Sequence, residues 1–261
     1  MLYFWRMKQQ KYLLIILLFL CTSTLFAQRK LAIINDPDGF TNVRSGQGKE
    51  FPIIGTIEKD EFFDCDMTTK DEWVKVLTFG CSKTQIEGYI HRSKVQLVEN
   101  FNDKKQKELI TQILNKQKRL IENFITAREN KDSVVYEPTY KEHAYHSYCQ
   151  YSSILEILPK YFCATNDVEI IKLFFATMLA DNGSANEIPS FAIGECFVCK
   201  TNMIIEQLKK IENIEQKEYI LDHIEWGLLN IFGIDENGKS ENKEYHKLKM
   251  LLDNERKSIR R

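Results

Sequence analysis

Apolar positions along the chain follow two different periods. Up to about residue 99 they form short runs broken by turn residues, such as the apolar run 31–34 followed by the turn cluster 35–39. In residues 73–77 apolar and polar side chains alternate, which is the pattern of a half-buried strand. Several short strands separated by turn signals predict a small all-β barrel.

From about residue 100 the apolar positions recur at intervals of three and four, which is typical of amphipathic helices. Pro159 is expected to end one helix, Asp167 to cap the next, and Gly233 to end a later one. This half of the chain is therefore predicted to be all-α, with about six helices. Similar apolar runs at 170–175 and 204–210 suggest HEAT-like helical hairpins. The predicted helical segments are 107–130, 141–158, 168–180, 190–200, 202–211, 217–232 and 245–256.

The first 27 residues have the composition of an export signal. A basic start is followed by an apolar run at 13–20 and by small and polar residues up to Ala27. This run is shorter than the ~20 apolar residues that span a bilayer. We therefore expect cleavage after Ala27 and a periplasmic or extracellular protein, which meets the membrane only through this segment before cleavage. An uncleaved anchor and a lipid attached at Cys21 are the alternatives.

The predicted organisation has three parts: a signal peptide at 1–27, a β-barrel domain at 28–100 and an all-α domain of unknown function at 101–261. The chain holds 36 Lys and Arg against 37 Asp and Glu. Neither domain is basic, so the electrostatic footprint of a nucleic-acid-binding protein is absent from the sequence.

Export changes how the cysteines are interpreted. An even number of cysteines in an oxidising compartment favours disulfides, although the sequence does not reveal their connectivity. Pairing within each domain is the simplest arrangement, with Cys65 bonded to Cys81 and the other four pairing among themselves. Reduced, buried cysteines are the alternative. The cysteines that follow the signal segment are Cys65, Cys81, Cys149, Cys163, Cys196 and Cys199.

Four short motifs in the first half resemble the bacterial SH3 (SH3b) domain. They are Asn-Val-Arg-Ser-Gly at 42–46, Ile-Gly-Thr-Ile at 54–57, Trp-Val-Lys-Val at 73–76 and Gly-Tyr-Ile at 88–90. The resemblance covers roughly residues 31–99, a little more than a quarter of the chain. It implies an SH3-like barrel that binds cell-wall peptides or serves as an interaction module, without catalytic machinery. The insertion at 78–87 departs from the family pattern.

The resemblance also suggests which residues meet a ligand. Exposed rings of Phe40, Trp73 and Tyr89 would form an aromatic platform, although aromatic residues on strands more often belong to the core. Arg44, in the family's corner motif, would donate hydrogen bonds from its guanidinium to loop carbonyl groups.

Cys196 and Cys199 form a C-x-x-C motif in the helical half. Redox use of this motif requires a thiolate stabilised at a helix N-terminus, usually next to a β-strand. The flanking residues are apolar and helical in pattern, so a structural disulfide or buried thiols are favoured.

His143, His146 and Cys149 are spaced at i, i+3 and i+6. On a helix the two histidines share a face and could converge on a metal ion. Histidines on a polar helix face are more often simply solvated, so we expect neither a metal nor any other cofactor.

No catalytic constellation is recognisable. Lys239 and Ser240 follow a glycine but lack the glycine-rich loop of a nucleotide-binding site. A cell-wall cysteine peptidase would need strands after the barrel, and none is predicted. The sequence therefore favours an exported, non-enzymatic binding or scaffold protein of the cell envelope, whose barrel recognises peptidoglycan or an envelope protein. An inhibitor or immunity-type protein acting through the helical domain is one alternative. An envelope redox protein using Cys196 and Cys199 is another.

Overall fold

A computed structural model describes residues 29–59, 61–79, 85–131, 133–181, 187–233 and 240–259, without the side chains of Ser133 and Ile259. The chain divides between Leu97 and Val98 into two compact units, here called the β unit and the helical unit. The predicted signal segment, with Ala27 and Cys21, lies outside the described residues.

The β unit is a curled antiparallel sheet of seven strands in the order β3-β2-β6-β5-β4-β1-β7. This confirms that a β domain precedes a helical one. Within the described residues β3 and β7 are the edges of the sheet. The strands are β1 (Arg29–Ile34), β2 (Phe40–Arg44), β3 (Ile53–Glu58), β4 (Phe63–Asp66), β5 (Trp73–Thr78), β6 (Glu87–His91) and β7 (Val95–Leu97).

One face of this sheet forms the core of the β unit. Successive side chains of a strand point to opposite faces, so every second residue turns inward. Burying an aliphatic or aromatic side chain of this kind contributes about 1.5–3 kcal/mol. The predicted alternation in β5 is confirmed, since Val74 and Val76 are fully buried. The inward residues include Ala32, Val43, Ile57, Phe63, Val74, Val76 and Ile90.

The helical unit contains the predicted all-α part of the chain. A π-helical turn, Ser147–Tyr151, joins the second helix to the third. The helices are α1 (Asp103–Glu129), α2 (Ser133–His146), α3 (Ser152–Leu155), α4 (Leu158–Thr165), α5 (Val168–Ala180), α6 (Ile188–Leu208), α7 (Ile214–Phe232) and α8 (Lys243–Ile259).

Local signals placed some helix ends correctly. The Asp167 carboxylate accepts a hydrogen bond from the Glu169 N–H at 3.2 Å and caps α5, as predicted. Asn166, with φ of 59°, ends α4 in the left-handed region. Gly233, with φ of 68°, ends α7, because a glycine adopts this conformation without a steric penalty.

Other helix boundaries differ from the predictions. The segments predicted at 190–200 and 202–211 belong to one helix, α6, which is kinked at Lys200 (φ −139°, ψ 50°). Pro159 does not end a helix but lies in the first turn of α4, where its missing N–H has no partner to lose. The helix predicted to begin at 141 begins at Ser133 and contains Pro138.

Among the described residues, α6 is the one helix that is long and apolar enough to cross a membrane by length and composition alone. Its inward side packs on α7 around Gly194 and Gly227, whose backbones approach closely. Ile193, Cys196 and Phe197 are fully buried beside this contact. These contacts make α6 a core helix of the helical unit.

A disulfide between Cys163 and Cys199 connects α4 to α6, with 6.0 Å between the Cα atoms. Two predicted pairings are not what the structure contains. Cys196 is a buried thiol, so the four cysteines of the helical unit do not form two pairs among themselves. Cys65 is also a thiol and donates to the Lys30 carbonyl oxygen at 3.4 Å, whereas the sequence paired it with Cys81, which lies outside the described residues.

Candidate functional site

The outward side of three neighbouring strands, β2, β6 and β5, brings together the residues singled out in the sequence. In the register of the sheet Tyr89 lies opposite both Arg44 and Lys75, and Trp73 lies opposite His91. We call these five residues the outer face.

Arg44 fixes the loop beside this face. One guanidinium nitrogen of Arg44 donates to the carbonyl oxygens of Lys49 and Phe51, each at 2.8 Å. This confirms the predicted hydrogen bonds to loop carbonyl groups. The Phe51 ring lies against Gly46 so closely that a Cβ atom at Gly46 would be 2.4 Å from it. The loop at 45–52 is therefore attached to the sheet by a cationic side chain and a ring.

A second arginine, Arg92, fixes the turn that leads into β5 and was missed in the sequence. Its Nε donates to the Asp71 carbonyl oxygen at 2.7 Å, and a terminal nitrogen donates to the Thr69 carbonyl oxygen at 2.6 Å. The turn ends at Trp73. The only signal in the sequence was a cation directly after strand β6. The carbonyl groups that Arg92 binds are 21 and 23 positions earlier in the chain, so nothing in the sequence indicated them.

The predicted aromatic residues lie on the outer side of the sheet rather than in the core. Trp73 and Tyr89 are half-buried, and Trp73 makes an edge-to-face contact with His91 at 5.6 Å between ring centroids. Phe40 is 43% exposed at the start of β2, where strand alternation places it on the side of Arg44. All four predicted ligand-binding residues therefore share the outward side of adjacent strands.

One of the two cations on the outer face, Lys75, is paired with a carboxylate on the same side of the sheet. Lys75 and Glu87 form an ion pair across β5 and β6. Hydrogen bonding to Glu87 raises the pKa of Lys75, and the same bond lowers the pKa of Glu87. The face thus combines aromatic surface, an ion pair and hydrogen-bonding groups. This combination suits a polar polymer with apolar patches better than a highly charged one.

The histidines considered as metal ligands belong to a polar cluster between α1 and α2. The Gln117 amide oxygen is 2.8 Å from Nδ1 of His146, and its amide nitrogen is 3.3 Å from Nε2 of His143 and 2.7 Å from the Ser147 hydroxyl. The two histidines thus share a glutamine partner. Cys149, three residues after His146 in the sequence, is buried as well. Among the described residues there is no group of three or more His, Cys, Asp or Glu side chains that could hold a metal ion.

Burial keeps His146 uncharged. The ring is completely buried, and desolvation lowers the pKa of His146 to about 3. Below pH 6.5 the unfolded chain takes up a proton at this histidine while the folded chain does not. The contribution of the neutral His146 to stability is therefore fully present above the pKa of the unfolded chain, ~6.5, and is lost as the pH falls below it.

We expect the free energy of unfolding to fall by about 2 kcal/mol through His146 between pH 7 and pH 5. Urea unfolding at these two pH values measures the loss. A His146→Gln variant should show a shallower pH dependence, because the remaining histidines are the same in both proteins. An unchanged slope in this variant would show that His146 is not the group responsible.

A serine–histidine contact connects α6 to α7. The Ser190 hydroxyl lies 2.6 Å from Nδ1 of His223, and Tyr219 packs edge-on against the His223 ring at 4.4 Å. Ser190 is buried, with 2% of its surface exposed. A nucleophile needs access to its substrate, so this pair is a packing contact between helices. Sequence reasoning did not find it, because the two residues are 33 positions apart.

The C-x-x-C motif does not form a dithiol pair. Cys199 is bonded to Cys163, and burial strongly raises the pKa of the Cys196 thiol. Reactive cysteines need a lowered pKa and access to solvent. The interpretation of Cys196 and Cys199 as a redox pair is therefore wrong for this structure.

The architecture defines a class: a small, curled antiparallel β unit followed by a helical unit, with a face on the sheet that combines aromatic rings, Arg44 and an ion pair. Comparison with known proteins adds no relative to this description. No protein-family model matches the chain, and neither the curated proteins nor the solved structures contain a match to it.

Proposed function

We propose that this protein is an exported, non-enzymatic binding protein of the cell envelope, whose β unit recognises a cell-wall component through the outer face. The observation that carries the proposal is the grouping of Arg44, Trp73 and Tyr89 on the outward side of adjacent strands. Binding residues placed on strands are held more precisely than residues on loops. Arg44 and Arg92 further reduce the freedom of the flanking loops.

The curled sheet supports an SH3b-like identity for the β unit. Val43, in the family's corner motif, is fully buried, as the resemblance implies for a core residue. The three other motifs fall on β3, β5 and β6, and β6 pairs with both β2 and β5. Such domains often recognise cell-wall peptides, so peptidoglycan is the first ligand to test.

Two features support export. The N-terminal residues have the charge and apolar pattern of a signal peptide. The disulfide between Cys163 and Cys199 is of the kind that forms and persists in oxidising compartments.

We expect the purified protein to sediment with cell-wall sacculi and the Trp73→Ala and Tyr89→Ala variants to bind about tenfold more weakly. The few residues that dominate a binding face are enriched in Trp and Tyr and each cost more than about 1 kcal/mol when truncated, and a tenfold loss corresponds to about 1.4 kcal/mol. The bound fraction measured over a range of sacculus concentrations gives the affinity.

Trp226→Ala is the matched control, because Trp226 is 43% exposed on α7 and belongs to no part of the outer face. Circular dichroism should show that all variants remain folded. Equal sedimentation of the outer-face variants and the native protein would remove the outer face from wall binding. An absence of sedimentation by the native protein would exclude the wall as the ligand.

A further inference from the structure

The contact between α1 and α2 contains a ladder of rings that ends in an uncharged polar cluster. On α2 the residues Tyr136, Tyr140 and His143 recur at i, i+4 and i+7, which is one side of a helix, and Ser147 follows at i+11 as the first residue of the π-helical turn. On α1 the ring of Phe124 lies among Tyr136, Tyr140 and His143, with centroid separations of 5.5 to 5.8 Å.

The rings of the ladder are ordered. Tyr136 and Tyr140 are stacked with an angle of 9° between their planes, and Phe124 and His143 with an angle of 10°. Tyr140 is nevertheless 47% exposed. The Tyr140 ring is therefore partly exposed to solvent while its orientation is already restricted by the neighbouring rings. Such a ring is a preformed apolar surface for a ligand, because little conformational entropy is lost on binding.

The polar end of the ladder offers hydrogen-bonding groups without charge. Gln117 contacts both His143 and Ser147, and burial lowers the pKa of His143. His143 is therefore neutral at pH 7. Gln117 is fully buried, so the groups that a ligand can reach are the imidazole of His143 and the hydroxyl of Ser147, which are partly exposed. These two groups suit a ligand that carries hydroxyl groups rather than charges.

The buried member of the cluster has unused hydrogen-bonding capacity. His146 is completely buried, its Nδ1 lies 2.8 Å from the Gln117 amide oxygen, and its Nε2 has no partner within the described chain. With Nδ1 donating to the amide oxygen, Nε2 is an acceptor. Buried polar atoms in proteins are normally paired, so such an exception needs an explanation. His146 directly precedes the π-helical turn Ser147–Tyr151, and turns of this kind are frequent at functional sites.

We propose that this ladder is a sugar-binding site of the helical unit, in which a neutral sugar ring lies on Tyr140 and turns its hydroxyl groups toward His143 and Ser147. The C–H groups of a sugar ring form an apolar face that packs on an aromatic ring, whose face is electron-rich. The choice of a wall glycan as the sugar chain rests on the proposed envelope function. The proposed site shares no residue with the outer face of the β unit.

The test is a titration of the purified protein with the tetrasaccharide of β-1,4-linked N-acetylglucosamine, followed by calorimetry. We expect saturable binding that is about tenfold weaker in Tyr140→Ala and little changed in Tyr140→Phe, which retains the ring. Tyr89→Ala on the outer face should bind the tetrasaccharide like the native protein. Thermal unfolding of Tyr140→Ala shows whether the helices remain intact.

Several results would overturn this proposal. They are no saturable binding up to about 10 mM tetrasaccharide, equal binding by Tyr140→Ala, and loss of binding in Tyr89→Ala instead. If the tetrasaccharide fails to bind while the native protein still sediments with sacculi through Trp73 and Tyr89, the sugar site alone is wrong. If neither occurs, both proposals fail.

Discussion

Replacing Cys163 and Cys199 together with alanine is expected to lower the free energy of unfolding by about 3–4 kcal/mol. The bond joins residues that are 36 positions apart. Cutting it returns the entropy of that loop to the unfolded chain, which corresponds to about this amount for a loop of this length. The disulfide is a covalent link between the short helix α4 and helix α6. Without it we also expect the unfolding transition of the helical unit to be less cooperative.

Urea unfolding under non-reducing conditions measures this effect. Cys196→Ala is the control, since it removes a cysteine one helical turn away without opening a loop. The control should cost clearly less than the double substitution. A loss of less than about 1 kcal/mol in the double variant would show that the disulfide contributes little to stability.

Replacing Gly227 with alanine is expected to destabilise the protein by about 3 kcal/mol or more. A Cβ atom at this position would lie 2.1 Å from the Ser190 carbonyl oxygen and 2.9 Å from Cα of Gly194. Both are backbone atoms, so a side-chain rotation cannot relieve the clash and the two helices must separate. Added volume in a packed contact usually costs 1–3 kcal/mol, and rigid surroundings raise the cost.

The intrinsic helix propensity works in the opposite direction, because alanine is favoured over glycine in a helix by about 1 kcal/mol. A net loss of stability therefore reports the clash. Asn230→Ala, at an exposed position of α7, is the matched control and should change stability by less than about 0.5 kcal/mol. If Gly227→Ala is as stable as the native protein, the close approach of α6 and α7 is not as described.

The features that could be predicted from the sequence depend on neighbouring residues. The alternation in β5 is a local pattern, and it separated the buried Val74 and Val76 from the outward Trp73. The cap at Asp167 and the end at Gly233 are likewise decided within a few residues. The corner motif also indicated the role of Arg44, whose partners are five and seven residues away.

The features that could not be predicted join residues that are distant in sequence. Cys163 pairs with Cys199 because α4 and α6 lie side by side, and no spacing rule favours that pair over the alternatives. The contacts of Gln117 with His143 and His146 need α1 and α2 to be packed together. Sequence alone presented the two histidines as solvated residues or metal ligands.

The helix boundaries show a third reason why the structure differs from the sequence-based prediction. A break was predicted between 200 and 202, but the chain bends at Lys200 and continues as α6. The apolar side of α6 is buried against neighbouring helices on both sides of the bend, as Phe197 and Ile204 show. Packing of this kind stabilises a helix more than local propensity does.

The central claim is that the outer face of the β unit meets the ligand, and the indole N–H signals of the tryptophans test it most directly. The chain has three tryptophans, of which Trp5 lies within the predicted signal segment. Trp73 belongs to the outer face, and Trp226, 43% exposed on α7, is an internal control in the same sample. In a nuclear magnetic resonance titration with soluble peptidoglycan fragments, we expect the Trp73 signal to shift saturably while the Trp226 signal stays in place. A Trp73 signal that does not move while the protein binds these fragments would contradict the account.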